Sequence, residues 1–507
     1  YLHDDFGEKS LSHRKLEEMY INVIIQGGRD SSALASRSKF KDRHEIFKTH
    51  LKLPEGVITL TTTNDLLKLT PKHQSKTILL VGRPGIGKTL LTKKIFYQWQ
   101  RQAPQYWQDK VVMLIRFRNF NQTMGKTSLR EMLRRSDGLN MADADFNNIY
   151  EYICLFPKKL ILIFDGLDEL KIDDKSLAES KTINSHNEVL PMFQIFKQLV
   201  KGELLPGVTV LTTSRPTAEK FYTNLPFRLN LEIMGFGEEQ IEKYVRNFCR
   251  HDALKSSEIW HLIKESPELL SLCYIPVNSY IVCLTLMQSI EDEGHRNIPK
   301  TITELYKRAI KIILYRHHSK YKMKNEDRPK DYFIAKLPND LQEDLKKLQE
   351  IAKNGMSEEK LIFDFSADDK LPKGLDDCGV FNKLEHKTNN IFCFLHLTIQ
   401  EFLAAMYVVD DLKNVESFLS ENIDNPRWYL VIQFVSGLVG DKMRELEKDR
   451  NVLESIKSTV PQNIGKRLEL EENERIVDSI CTRFQDWMPK SAEIEGNKND
   501  LFVIKCV

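Results

Sequence analysis

The period of the apolar positions changes along the chain and divides it. Between about residues 58 and 232, short unbroken apolar runs recur at 77–81, 111–117, 160–164, 208–213 and 227–233, with helical patterns between them. Unbroken runs of this length suit strands covered on both faces, and their alternation with helices predicts a parallel sheet. After 233 the helical period takes over. Ile241, Tyr244, Val245 and Phe248 share one face, and Ile275 to Ile290 reads as one long apolar helix. Within 330–408 the helical pattern breaks once: Val380-Phe381 and Leu384, Lys387 to Asn390, then Ile391 to Leu395 read as strand, turn, strand. A hairpin among helices is the pattern of a winged helix. Residues 409–507 are helical again, with Trp428, Val431, Ile432 and Val435 on one face, and the last twenty residues are polar. At the start, residues 1–57 are polar and mixed, with a short ordered segment from Leu16 to Ile25 and a loop from Gly27 to Ser38. No internal repeat and no leucine-rich period is visible.

Composition adds bounds. A chain of 507 residues has room for about three or four domains. Lys and Arg total 74 against 72 Asp and Glu, so no overall charge draws it to nucleic acid or membrane. The basic stretch Lys307 to Lys324, with Arg308, Lys311, Arg316, Lys320 and Lys322, reads as a solvated helix face and loop. The eight cysteines form no C-x-x-C pair, which argues against zinc and disulfide frameworks; reduced thiols suit the cytoplasm. No apolar stretch is long enough for a membrane helix, and no signal peptide is visible. A start at Tyr1 rather than Met is expected of a fragment.

The candidate chemistry lies at the ends of the predicted strands. After the run Thr77 to Val81 come Gly82, Arg83, Pro84, Gly85, Ile86, Gly87, Lys88 and Thr89, which fit G-x-x-x-x-G-K-[ST] at every defined position. Leu90 follows, and Leu91, Ile95 and Trp99 then recur at helical spacing. Strand, glycine loop and helix is the context a phosphate-binding loop needs. The glycines let backbone N–H groups turn toward phosphate oxygens, and the helix N-terminus adds positive potential. Lys88 is expected on the β- and γ-phosphates and Thr89 on Mg²⁺. The alternative is a glycine-rich turn without a ligand.

A second run, Leu160 to Phe164, leads into Asp165-Gly-Leu-Asp168-Glu169. A carboxylate at the end of a buried strand can hold Mg²⁺ through water. Either Asp168 or Glu169 could act on the attacking water, and the spacing does not choose between them. A solvated acidic loop is the bland alternative. A third strand, Val208 to Thr213, ends in Ser214-Arg215-Pro216. Ligands of parallel sheets sit at carboxyl ends of strands, so Arg215 is placed to sense a γ-phosphate, unless it is an ordinary surface residue of the turn. Arg118, at the end of 111–117, could face that crevice or solvent. Asn497-Lys-Asn-Asp500 matches the guanine-reading N-K-x-D but follows a polar segment, and it is taken as chance.

At this point the residues resemble a NACHT domain of the NOD-like receptor family, within the STAND class of P-loop NTPases. The likeness is carried by GRPGIGKT, DGLDE, TTSRP, Gly235 to Val245, Leu272-Cys-Tyr-Ile-Pro276, and Phe394-Leu-His-Leu-Thr-Ile-Gln-Glu-Phe-Leu-Ala-Ala405, the most specific. It runs from about 58 to 440. The resemblance implies an N-terminal NACHT-associated segment (1–57), a P-loop domain (58–232), a first helical domain (233–328), a winged helix (329–408) and a second helical domain (409–507). ADP would hold the module closed, and exchange for ATP would open it to ring-like oligomers that recruit signalling partners.

By position, Pro276 would pack on the adenine, with Tyr280 one turn on, where many relatives carry Trp. His396 would bond the β-phosphate and latch the winged helix, and Arg215 would sense the γ-phosphate. From the residues alone, His396 is compatible with a merely local role, and Thr398-x-x-Glu401 reads as the capping box that starts the next helix. The resemblance thus implies a slow, Mg²⁺-dependent ATPase that resets a switch in the cytoplasm. Adaptors would be addressed through domains not in this chain. The alternatives are a turning-over AAA+-like ATPase, for which no aromatic-glycine pore loop is visible, and a nucleic-acid-binding winged helix, against which the weakly basic wing argues.

Overall fold

The computed structural model describes residues 20–27, 66, 76–101, 107, 109–123, 126–139, 141–172, 177, 188–250, 252–293, 298–299, 301–318, 336–365, 375, 378–383, 391–423, 425–455 and 461–487. They fall into two compact units that divide between Tyr280 and Ile281.

In the unit that ends at Tyr280 the elements are β1 (Ile24–Gly27), β2 (Thr77–Gly82), α1 (Lys88–Gln100), β3 (Val111–Arg116), β4 (Lys126–Thr127), α2 (Leu129–Arg134), α3 (Asp143–Leu155) and β5 (Leu160–Asp165). They continue with β6 (Leu190–Pro191), α4 (Met192–Lys201), β7 (Thr209–Ser214), α5 (Glu219–Tyr222), β8 (Leu229–Gly235), α6 (Glu238–Cys249), α7 (Ala253–Glu265), α8 (Pro267–Cys273) and the start of α9 (Pro276–Glu293). Five strands coincide with the five apolar runs to within about two residues. Every position of β2, β5 and β7 is buried, which is why their sequences do not alternate. Phe117, Phe164 and Phe196 meet with ring centroids 5.1–5.3 Å apart and join a 3₁₀ turn, β5 and α4 into one core.

The strand order is β1-β8-β2-β7-β5-β3. β8, β2, β7, β5 and β3 are parallel, but β1 is antiparallel to β8, pairing Ile25 with Ile233. The sheet is therefore mixed, a correction to the all-parallel expectation, and its edge comes from the N-terminal segment 1–57, which lies outside the expected P-loop domain. Only two isoleucines mark β1, and burial against β8 rather than its own periodicity makes it a strand. β7 lies between β2 and β5. The carboxyl ends that carry Gly82, Ser214 and Asp165 are thereby side by side.

The second unit holds α10 (Ile302–His317), α11 (Asn339–Glu358), β9 (Phe363–Asp364), β10 (Phe381–Lys383), β11 (Ile391–Phe394), α12 (Leu397–Asp410), α13 (Leu412–Asn422), α14 (Tyr429–Ser455) and α15 (Pro461–Trp487). β10 and β11 pair antiparallel, Phe381 opposite Phe394, as the hairpin pattern predicts. β9 adds a third strand beside β11 that two residues could not announce. Tyr306, Phe402 and Phe434 cluster with centroids 4.9–5.3 Å apart and tie α10, α12 and α14 together. The basic face of α10 is not solvated, contrary to expectation. Arg308 is 4% exposed and pairs with Glu304, Lys307 pairs with Asp441, and Arg316 donates to Gln288 at 3.0 Å. Burial lowers the Lys311 pKa, and Lys307 and Arg308 add to the shift. Lys320, Lys322 and the segment 497–500 lie outside the described residues. Among the described residues, no helix is long and apolar enough to cross a membrane.

Candidate functional site

Gly82 closes β2, and the loop Arg83–Gly87 turns into α1. Gly85 sits at φ +72°, and a Cβ there would lie 2.2 Å from Val277 Cγ1 and 3.2 Å from Ile275 Cγ2. Only glycine meets both the left-handed backbone and that approach. The Val277 N–H donates to the Gly85 carbonyl at 3.3 Å, and Arg83 Nη1 donates to Tyr274 Oη at 3.3 Å. Pro276 Cγ would lie 3.9 Å from a Cβ on Gly87. Ile86 is fully buried beneath the loop, while Pro84 and Leu90 are half-buried. Lys88 Nζ donates to the carbonyls of Gly82 (2.7 Å) and Arg83 (2.9 Å), and Thr89, one residue into α1, is exposed. Burial pushes Lys88 down to about 8, with Asp168 opposing the shift and Arg215 adding to it.

On the acidic side, the Thr213 hydroxyl donates to Asp165 Oδ1 at 2.7 Å and accepts from the Gly166 N–H at 2.9 Å. Asp165 is thus held by the neighbouring strand. Asp168 Oδ1 accepts from the Arg215 backbone N–H, and Oδ2 pairs with Arg215 Nε, both at 3.0 Å. Glu169 is raised to about 7 by burial, against the pull of Arg118 and with the repulsion of Asp168 and Asp165 behind it. Arg118 itself is half-buried. Among the described residues no group of three or more acids, histidines or cysteines is placed to hold a metal; a Mg²⁺ that keeps several waters and shares phosphate oxygens would need only one or two carboxylates, which Asp165 could supply with Thr89.

Residues 76–252 match the NACHT domain. The chain carries a NACHT domain, and the curated proteins it resembles are NOD-like receptors. It is 25% identical over 393 residues to the human NACHT, LRR and PYD domains-containing protein 12, covering 74% of this chain and 35% of that protein. It is 28% identical over 349 residues to the rat NACHT, LRR and PYD domains-containing protein 3, covering 67% of this chain and 31% of that protein. It spans about a third of the length of these curated relatives. Among solved structures, a signal transduction ATPase with numerous domains (STAND) with a tetratricopeptide repeat sensor from Pyrococcus horikoshii is 15% identical. The match covers 85% of this chain and 59% of that one at a TM-score of 0.33, too slight a likeness to bear on how the parts are arranged.

The first unit of this NACHT-domain protein brings together Gly82 to Leu90, Asp165, Asp168, Glu169, Arg215 and Pro276. Tyr280 is buried, with its ring edge-on to Phe248 at 6.2 Å, so it packs in the helical core. His396 belongs to the second unit. It is the N-cap of α12, its Nδ1 accepting from the Thr398 N–H at 3.1 Å. The helix therefore starts two residues before the expected capping box, and Glu401 is buried in the core rather than reaching back to a cap.

Several residues around the site are not apparent from the motif. Asn121 donates to the Glu169 carbonyl at 2.8 Å and accepts from the Lys171 N–H at 2.9 Å, clamping the acidic turn from a 3₁₀ helix 48 residues upstream. Thr213 is visible in the sequence as the end of an apolar run and as part of TTSRP, but its bond to Asp165 is not. Ile275 and Val277 flank Pro276, and only their adjacency to it could have drawn attention to them.

Proposed function

We propose that this chain is a nucleotide-operated switch that grips ADP in a resting form and releases it for ATP. The observation that carries this reading is the contact of the phosphate loop with Ile275, Pro276 and Val277. A loop packed against the segment that follows the NACHT domain is suited to pass a nucleotide's state to that segment, which an isolated catalytic cradle is not.

In this reading the backbone of Gly82 to Leu90 cradles the phosphates, Lys88 bridges the β- and γ-phosphates, and Pro276 packs on the adenine. Thr89 and Asp165 hold Mg²⁺, Asp165 through water. Asp168 is committed to Arg215, which it holds toward the γ-phosphate. Glu169, raised to about 7, is the group left to take a proton from water. Hydrolysis is slow and resets the switch.

His396 bonds the β-phosphate of ADP in the resting form, and its loss on exchange opens the module (P-loop domain 58–232, helical domain 233–328, winged helix 329–408, second helical domain 409–507) for self-association. Changing a mostly closed population to a mostly open one takes about 5 kcal/mol of differential affinity, which the γ-phosphate on Arg215 set against the β-phosphate on His396 would supply. Signalling adaptors of cytoplasmic innate immunity are then recruited through further domains of the kind the relatives' names carry.

The nucleotide that co-purifies tests the reading. ADP retained in a monomer, with oligomers forming on exchange for ATP, is expected. Empty protein that hydrolyses ATP rapidly would overturn it in favour of an AAA+-like motor.

A further inference from the structure

An imidazole can present either nitrogen as a donor, and the surroundings of His396 decide which. An amide N–H can only donate. Since the Thr398 N–H points at His396 Nδ1 from 3.1 Å, that nitrogen is the acceptor and the ring proton lies on Nε2. A second contact agrees. Thr398 Oγ1 lies 2.8 Å from the same Nδ1, and the buried Tyr306 hydroxyl donates to Thr398 Oγ1 at 3.3 Å. Since Nδ1 is the acceptor, the Thr398 hydroxyl turns its own proton to it while a lone pair of Oγ1 receives the Tyr306 proton. Both donors of Thr398 therefore meet one ring nitrogen. The backbone is equally committed, because the His396 carbonyl accepts from Ile399 (3.0 Å) and Gln400 (3.2 Å) and begins α12. A ring flip would forfeit the cap. The positive end of the helix also disfavours a charged imidazolium.

We infer that Thr398, backed by Tyr306, is a positioning residue that fixes His396 as the neutral Nε2–H tautomer, so that the helix cap itself turns the histidine into a single-proton donor for a phosphate oxygen. The tautomer follows from the cap alone. Its use rests on the reading above, in which His396 bonds the β-phosphate. His396 then contributes a directed hydrogen bond rather than an ion pair.

The test uses the full chain with ¹⁵N-labelled histidine and measures ring-nitrogen resonances alongside ADP release. In wild-type protein the His396 signals, assigned by their loss in His396→Asn, should show a bare Nδ1 and a protonated Nε2; a protonated Nδ1 overturns the proposal. Thr398→Val keeps the volume and the backbone donor but loses the hydroxyl. It should bring in the second tautomer and speed ADP release roughly threefold to tenfold, the range for one net hydrogen bond. An unchanged spectrum with unchanged release would remove Thr398 from the role. The Asn Oδ1 in His396→Asn can take over the cap but leaves nothing in the place of Nε2. Wild-type ADP release in that variant would overturn the latch reading while leaving the tautomer result standing.

Discussion

The phosphate loop and the acidic turn after β5 lie in the same unit and are positioned by opposite means. Absence of bulk sets the loop. Gly85 has no Cβ because Val277 occupies the place, and Ile86 fills the space beneath. The turn is set by charge and hydrogen bonds: Thr213 on Asp165, Arg215 on Asp168, Asn121 across Glu169 and Lys171. Packing of the first kind is close to all-or-none, since a filled gap cannot be half filled. Polar positioning of the second kind is graded and responds to pH and to bound ions. The loop is thus suited to report whether nucleotide is present, and the turn to report which one.

Lys88 is where the two means overlap, so its removal should have the largest effect. Lys88→Ala deletes the cation expected on the β- and γ-phosphates, together with its bonds to the Gly82 and Arg83 carbonyls, and leaves Arg83 and the contact of Gly85 with Val277 in place. A loss of about 2–5 kcal/mol of nucleotide affinity is expected, enough to strip co-purified ADP. Isothermal titration against ADP measures it, and retained tight binding would mean that the loop works by shape alone. Gly85→Ala comes next and probes shape. Its methyl meets Val277 and its φ is unfavourable for alanine, together about 2–4 kcal/mol. Adding Val277→Ala removes the nearer clash and should recover part of the thermal stability and ADP binding. If the double variant is no better than Gly85→Ala, the contact with Val277 does not set the loop.

Asp168→Asn should cost less, because the amide still accepts from the Arg215 N–H and loses only the ion pair. The expected signature is a narrowed preference between ATP and ADP. Coupling to Arg215→Ala should be about 1–3 kcal/mol in a double-mutant cycle, since both changes break one pair. Additive effects would show that Arg215 is held by something other than Asp168 and would erase the contrast between loop and turn.

The same contrast explains what could be read in advance. β2, the loop and α1 are contiguous, and eight residues carry their own context, so the sequence suffices. β5 and Asp165 are legible because a buried strand ending in an acid is a local pattern. The roles of Thr213, Asn121 and Val277 are not, because their partners lie 48, 48 and 192 residues away; Thr213 sits in the TTSRP motif, but nothing there points to Asp165. β1 was hidden by its brevity and by an antiparallel partner remote in sequence. Pro276 was reached through family likeness alone. For His396 the likeness gave a role but the local pattern misled, because Thr398 and Glu401 have capping-box spacing while a histidine two residues earlier fills the cap.

The smallest effect is a titration confined to the turn. Glu169 has a pKa of about 7, well above its ordinary value of 4.5, chiefly through burial and against Arg118. As a base it acts only when ionised, so kcat/KM for ATP should rise with pH and level off above about 7. Glu169→Gln should lower the rate and flatten the profile. The linked effect on stability has the opposite sign. Between the ordinary carboxylate pKa and about 7, the folded chain keeps a proton that the unfolded chain has lost, so this group's contribution is full at low pH and disappears as pH rises through 7. Melting temperatures at about pH 5 and about pH 8 should therefore differ less in Glu169→Gln than in the parent. Mg²⁺ with nucleotide should move the rate profile to lower pH, because a cation relieves the crowding that Asp165 and Asp168 impose. A profile that ignores both the substitution and the ion would mean that the acids are as rigidly fixed in function as the glycines are in space, and the two regions would no longer differ in kind.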